Sequence, residues 1–310
     1  EELLENSIEN NNLNFTSNPK YITESNYIII CIGTPIDEYS NPKTSKFLES
    51  VKKMKVYFRK SQTIIIRSSV FPRTCKQVLN ILGGEKDWNL AYCPERIVQG
   101  YAISELEKLP QIISGYSVRA VNQATKLFKI ITNKIIYSSV PEAELAKLFS
   151  NSLRYIQFAI ANEFYMIANE HEEDFEKIRT IMQMDYDRAK GLPSAGFTSG
   201  PCLLKDTIQL STFYNNRFLL GQAAININEG LPNYIISNLK KNIQINDKNV
   251  GILGMAFKAN IDDTRGSLSY KLKKLLLFEG AKVFCSDPFV KDTSFLTQKE
   301  LIKKCDIIII

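Results

Sequence analysis

Cys202, Lys205 and Asp206 fall within five positions in the stretch Gly196-Phe197-Thr198-Ser199-Gly200-Pro201-Cys202-Leu203-Leu204-Lys205-Asp206. The glycines let the backbone come close to a neighbour, and Pro201 limits the approach to Cys202. Leu203, Leu204, Ile208 and Leu210 then recur on one side of a helix. That spacing sets Cys202 near a first helical turn, where unpaired N–H groups favour a thiolate, and Asp206 one turn further along the same face. A thiolate can trap an aldehyde as a thiohemiacetal, and loss of hydride leaves a thioester that water hydrolyses. The hydride needs a nicotinamide acceptor, because no side chain supplies one. Lys147 and Asn151, four apart on one helix face, are of the right type to hold the oxyanion, and a carboxylate can relay protons. The plain alternative is a buried structural cysteine after a loop, with the lysine and asparagine merely solvated.

Composition narrows the class. A chain of 310 residues that is 44% hydrophobic and 23% charged is globular and long enough for two domains. The formal charge of +6 suits an anionic ligand, but the lysines are dispersed, so no nucleic-acid interface is expected. Six cysteines (31, 75, 93, 202, 285 and 305) form no CxxC pair, which argues against a zinc knuckle or a disulfide framework, and no metal site is expected. Their scatter suits a reducing compartment, and a cytoplasmic location is expected. The single histidine, His171, stands among Glu170, Glu172, Glu173 and Asp174 and is expected in solvent, which disfavours histidine-centred chemistry. No signal peptide or membrane span is visible. The chain opens at Glu1 without a methionine and stops inside Ile307 to Ile310, so a piece cut at both ends is expected.

Behind these residues stands an alternation of strands and helices. Residues 1–11 pattern as a helix and 12–26 as a polar linker. Strands are predicted at 27–32, 63–66, 89–92 and 111–114, with helices at 44–58, 72–82 and 118–131 between and after them. This is the rhythm of a doubly wound α/β domain, whose ligands lie at the carboxyl ends of strands. Gly33-Thr34-Pro35, Ser68-Ser69 and Glu95 all follow such ends. From 142 to 170 neither proline nor glycine occurs, and apolar residues recur as one helix of roughly 29 residues, about 43 Å long. Its length suggests a spine between domains or a subunit contact. A second helix is predicted over 218–244, broken or kinked at Gly230-Leu231-Pro232. The run 249–258, read as strand, turn and ligand-facing loop, with helix 267–279, strand 282–285 and a last strand from Cys305, forms a second open α/β domain. Gly251-xx-Gly254 falls short of GxGxxG, a motif found nowhere in the chain. The expected organisation is therefore 1–140, a nucleotide-binding domain without its first βαβ; 141–246, a helical region; and 247–310, a partial second α/β domain.

Several motifs in series resemble the UDP-glucose/GDP-mannose dehydrogenase family, which acts on UDP-glucose and UDP-N-acetylhexosamines as well as GDP-mannose. They are Gly33-Thr34-Pro35; Arg67-Ser68-Ser69-Val70-Phe71-Pro72; Pro94-Glu95-Arg96; Glu144-Leu145-Ala146-Lys147-Leu148-xx-Asn151; Asn162-Glu163; Gly200-Pro201-Cys202-Leu203-Leu204-Lys205-Asp206; and Gly254-Met255-Ala256-Phe257-Lys258 through Asp263-Thr264-Arg265. The resemblance covers essentially the whole chain. It implies two Rossmann-like domains joined by a long central helix, and oxidation of a sugar C6 alcohol to the carboxylate with two NAD. It implies Cys202 as nucleophile, Lys147 and Asn151 on the oxyanion, Asp206 for proton transfer, Ser69 in the place of a water-ordering threonine, and Glu95 as a nearby acid. Gly33, Thr34, Pro35, Ser68, Ser69 and Glu95 are the implied cofactor contacts. Lys147, Asn151, Lys258, Arg265 and either Asn226 or Asn228 are the implied substrate contacts. A homodimer, or a larger oligomer, built through 142–170 is implied as well. Pro94-Glu95-Arg96 resembles the N-acetylhexosamine branch more than the UDP-glucose branch, which remains the alternative substrate class. Ser199-Gly200-Pro201-Cys202 departs from the family's Gly-Gly-x-Cys, and the family's N-terminal glycine-rich loop is absent, so weak NAD binding is expected. Two rivals stand beside this reading: a two-electron β-hydroxyacid or 6-phosphogluconate-type dehydrogenase, and a non-catalytic remnant that dimerises.

Overall fold

The computed structural model describes residues 2–310 apart from Asn11, Glu38, Ser40, Lys86 and Ser199, and only the backbone of Glu2 and Leu3. Packing divides the chain into two compact units. The first is Glu1–Thr34, Lys43–Glu95 and Glu107–Glu144; the second is Pro35–Pro42, Arg96–Leu106 and Leu145–Ile310.

After helix α1 (Glu2–Glu9), the first unit is built on a sheet of β1 (Tyr27–Ile30), β2 (Thr63–Ile66), β3 (Asn89–Tyr92), β4 (Gln111–Gly115) and β5 (Ile135–Tyr137), side by side in that order. Side chains alternate across a strand, so β2 sends Ile64 and Ile66 to one face and Ile65 to the other. Helices α2 (Thr44–Met54) and α3 (Thr74–Leu82) cover the first face with Phe47, Val51, Val78 and Leu79. After the short α4 (Ala102–Lys108), helix α5 (Val118–Phe128) covers the other with Ala120, Ala124 and Phe128. Covered on both faces, β2 and β3 are buried at every position, which is why their sequences are apolar runs and not alternations. β1, β2 and β3 run parallel and β4 is antiparallel to β3, a reversal that the alternation alone does not reveal. Helix α3 starts two residues later than its sequence pattern because Arg73 adopts a left-handed φ of 72°.

Helix α6 (Val140–Glu170) is continuous over 31 residues. In the second unit, Leu148, Tyr155, Ala159 and Ala161 on α6 are buried. Phe149, Leu153, Ile160, Phe164 and Ile167 are exposed, so the apolar residues of this helix divide between a buried and an exposed side. α7 (Phe175–Gln183) and α8 (Leu203–Phe213) follow, then α9 (Leu219–Asn242). The expected break in α9 is absent: it passes through Pro232 unbroken. Leu231 and Pro232 are buried there, so packing holds the turn in which the Asn228 carbonyl loses its helical donor; Lys271 Nζ donates to the next carbonyl, that of Glu229, at 2.5 Å. β6 (Asn249–Leu253) is the centre of a parallel sheet between β7 (Lys282–Ser286) and β8 (Ile307–Ile309). α10 (Leu268–Phe278) and α11 (Gln298–Lys304) complete the unit. Gly251 belongs to packing: a Cβ there would collide with Leu301 of α11. Among the described residues no helix is long and apolar enough to cross a membrane.

Candidate active site

Cys202 is the N-cap residue of α8 and is exposed; its thiol makes no capping bond. The Asp206 N–H donates to the Cys202 carbonyl at 2.9 Å, which closes the first turn and sets the carboxylate one turn beyond the sulfur. The Asp206 side chain is fully buried, and each of its oxygens has a partner: Asn151 Nδ2 donates to Oδ2 at 2.6 Å, and Lys205 Nζ lies 2.6 Å from Oδ1. A buried carboxylate survives in this setting because both oxygens are compensated. Asn151 comes from α6, and Lys147 lies half-buried one turn earlier on that helix. The second unit thus brings Asn151, Cys202 and Asp206 together.

The cysteine segment rests on a second one. Gly200, at φ 98°, takes a bond from its N–H to the Gly266 carbonyl, and a Cβ on it would lie 2.6 Å from the Phe257 ring. Segment 254–266 is itself braced by Asp287, whose Oδ2 accepts from the N–H groups of Met255 (2.8 Å) and Ala256 (2.9 Å). Oδ1 accepts from Phe289 at 2.8 Å and Val290 at 3.2 Å. Partial burial raises the Asp287 pKa, but the four N–H donors outweigh it and leave the carboxyl below its ordinary value. Further along, Arg265 Nε and Nη2 clasp Asp263, with Nη2 2.6 Å from Oδ2. This charged hydrogen bonding holds the Asp263 carboxyl far below the usual range and raises the Arg265 pKa, to which the nearby Cys202 sulfur adds. Lys258 Nζ donates to the Gln99 carbonyl at 3.0 Å and stands 4.6 Å over the Tyr101 ring, while Gln99 Nε2 donates to Asp263 at 3.2 Å.

The other sequence-predicted residues fall differently. Asn226 is exposed and accepts from Gln222 on its own helix at 3.4 Å. Asn228 is fully buried: it accepts from Asn162 at 2.9 Å and donates to the Tyr155 carbonyl at 3.0 Å. One of the two positions implied as a substrate contact is therefore inside the helix packing, since an amide with both ends bonded is stable in the interior. His171 is exposed, as its acidic neighbours imply.

In the first unit the carboxyl ends of three parallel strands line up, Ile30 beside Ile66 beside Tyr92. Gly33-Thr34, Ser68-Ser69 and Glu95 follow those ends; Pro35 is grouped with the second unit. The Thr34 hydroxyl donates to the Ser69 carbonyl, and the Ser68 hydroxyl to the Ile32 carbonyl at 2.7 Å, so both are spent on tying the loops together. Glu95 is ion-paired with Arg67, which also donates to the Cys93 carbonyl at 3.1 Å and to Gln111 at 3.0 Å. At Gly33 a Cβ would meet nothing within 4 Å and φ is not left-handed, so the fold does not require a glycine there. An open backbone face at the end of a parallel strand fits close approach by a dinucleotide.

Three profiles of one family match the chain in order: the UDP-glucose/GDP-mannose dehydrogenase family NAD binding domain over residues 1–132, its central domain over 141–230 and its UDP binding domain over 251–310. The chain belongs to this family. It is thereby a nucleotide-sugar dehydrogenase and carries the family's NAD-binding domain. It is 28% identical over 315 aligned positions to the UDP-N-acetyl-D-mannosamine dehydrogenase of Methanocaldococcus jannaschii, covering 99% of this chain and 72% of that one. With the UDP-N-acetyl-D-glucosamine 6-dehydrogenase of Salmonella typhi it shares 26% identity over 90% of this chain and 69% of the relative. The solved UDP-D-ManNAc dehydrogenase of Pyrococcus horikoshii superposes with a TM-score of 0.90 at 27% identity, over 98% of this chain and 75% of that one.

Arg67, Gln99, Asp263, Asp287 and Asn162 were not legible as site residues from sequence. Each acts through a partner far along the chain, apart from Asp263, whose spacing of two from Arg265 is a usable signal. Asn162 is also flagged by its spacing from Tyr155 and Ala159, a lone amide on a buried helical face.

Proposed function

We propose that this member of the family oxidises the C6 alcohol of a UDP-N-acetylhexosamine to the carboxylate through a covalent adduct on Cys202. The reading rests on one observation: an exposed cysteine at the start of α8, one turn from a buried aspartate that fixes Asn151. The names of the relatives from Methanocaldococcus jannaschii and Salmonella typhi support the N-acetylhexosamine class. NAD, held at the strand ends by the backbone of Gly33, Thr34, Ser68 and Ser69 and by Glu95, would supply the hydride acceptor. Cys202 Sγ adds to the C6 aldehyde carbon, and the charge that develops on oxygen is met by the Lys147 ammonium and the Asn151 amide. Asp206 keeps that amide aimed and passes the proton from the adding water. In the first unit, the family resemblance gives Ser69 the role of holding a water and Glu95, paired with Arg67, that of an acid. Lys258 and Arg265 bring positive charge to the diphosphate and its sugar, with Asn226 a further substrate contact.

A self-associated state belongs to the same reading. Phe149 and Leu153 are 53% and 59% exposed on α6 and, with Leu145, Ile156, Leu210, Phe213 and Phe218, line an apolar groove in the second unit. A second copy covering this face would bury it.

The test is NADH release from UDP-N-acetylmannosamine, UDP-N-acetylglucosamine and UDP-glucose, with and without Cys202→Ala. Two NADH per sugar, lost in the variant, are expected with an N-acetylhexosamine. Preference for UDP-glucose would move the substrate class. A single NADH, or full activity in the variant, would remove the covalent route.

A further inference from the structure

We infer that Asn162 is the positioning residue of the cysteine segment, and that Asn228 sets its orientation. Asn162 is fully buried in the middle of α6. Its Oδ1 accepts from the Gly196 N–H at 2.8 Å, its Nδ2 donates to Asn228 Oδ1 at 2.9 Å, and Asn228 Nδ2 donates to the Tyr155 carbonyl at 3.0 Å. The direction of this relay is fixed. Tyr155 offers a carbonyl, so Asn228 must turn its NH₂ towards it and its oxygen towards Asn162. Asn162 must then present NH₂ to Asn228 and oxygen to Gly196. Reversing either amide would set oxygen against oxygen, or NH₂ against N–H, in an interior without compensation.

The relay ends on a backbone N–H at the start of the segment that leads to Cys202. Gly196 has φ 153° and open space on its Cβ side, and the Asn162 amide anchors its N–H. Four residues on, Gly200 is seated against Gly266 and the Phe257 ring. Two fixed points therefore bracket the residues just before the sulfur, one on α6 and one on segment 254–266. Asn151, which bonds Asp206, is on the same helix as Asn162. The start of the cysteine segment and the amide that bonds Asp206 thus share one support, α6. The kinetic consequence rests on Cys202 as the nucleophile; the structural one does not.

The experiment separates them by measuring the rate of Cys202 alkylation by iodoacetamide, as a ratio to the exposed Cys31 thiol, by mass spectrometry. Melting temperature and sugar-nucleotide oxidation are followed alongside. Asn162→Ala is expected to change the Cys202/Cys31 ratio at least 3-fold and to lower kcat at least 10-fold. Asn162→Asp keeps an oxygen for Gly196 while giving up the donor to Asn228. It is expected to hold the ratio within 2-fold of the parent even though it melts lower. Asn169→Ala, which removes a 2.8 Å bond to the Tyr234 hydroxyl elsewhere on α6, is expected to leave the ratio unchanged. Equal ratios in Asn162→Ala and the parent, or equal loss in the alanine and aspartate variants, overturn the inference. Should Asn162→Ala fail to fold, hydrogen exchange of the parent decides: the Gly196 amide is expected to exchange at least 10-fold slower than that of Phe197, and equal rates overturn it. A shifted ratio with no oxidation in the parent would retain the positioning role and remove the proposed chemistry.

Discussion

The Asn151 amide donates to the buried Asp206 carboxylate over 2.6 Å, joining the long α6 to the helix that begins at Cys202. This bond fixes the orientation of the Asn151 amide: one of its two N–H groups is bound by the aspartate. The Lys205 ammonium on the other carboxylate oxygen completes a charge-balanced unit.

Removing that carboxylate leaves an uncompensated lysine and a donor without an acceptor. Asp206→Ala is expected to cost about 3–5 kcal/mol, the usual penalty for breaking a buried ion pair, read from the urea midpoint. Asp206→Asn should cost less while still lowering turnover. A loss below about 1 kcal/mol in the alanine variant would show that the pair contributes little.

Gly200 permits no side chain without rearrangement. Gly200→Ala sets a Cβ against Phe257 in a left-handed backbone, and the backbone alone is expected to cost about 1–3 kcal/mol. Adding Phe257→Leu relieves the ring contact but not the φ of 98°, so recovery of the melting temperature should be partial. Complete recovery would place all of the cost in the ring.

Asp287 gives a pH signature. Its folded pKa is lowered, so its contribution is fully present above the unfolded value near 3.9 and is lost as pH falls through the folded value. The stability gap between the parent and Asp287→Asn is therefore expected to be constant from about pH 6 to 8 and to close below about pH 4. A gap that widens in acid would contradict the four N–H bonds as its source.

The exposed apolar face of α6 predicts an assembly change. Leu153→Glu adds charge to a side chain that is 59% exposed, so the fold should tolerate it. Light scattering after gel filtration is expected to show the parent as a dimer or larger and the variant as a monomer with an unchanged melting temperature. Equal masses would take this face out of the contact.

Much of the architecture was legible because burial on both faces leaves apolar runs. Ile64-Ile65-Ile66 and Leu90-Ala91-Tyr92 could be placed as strands without knowing what covers them. The short α4, α7 and α11 and strand β5 were not placed. The site divides in the same way. Residue type and spacing marked Cys202 and Asp206, since one helical turn relates them whatever surrounds them.

What the sequence determined by itself is local: helix and strand periods, and the series of short motifs that carries the family resemblance. Only the tertiary structure decided which partners complete each group. It set Asn228, one of two candidate substrate contacts, in the interior, paired Glu95 with Arg67, and tied Asn162 to Gly196 across 34 positions of chain. A hydrogen bond acts over about 3 Å and is indifferent to separation along the chain, so such pairings are settled by how the helices pack and leave no periodic mark in the sequence.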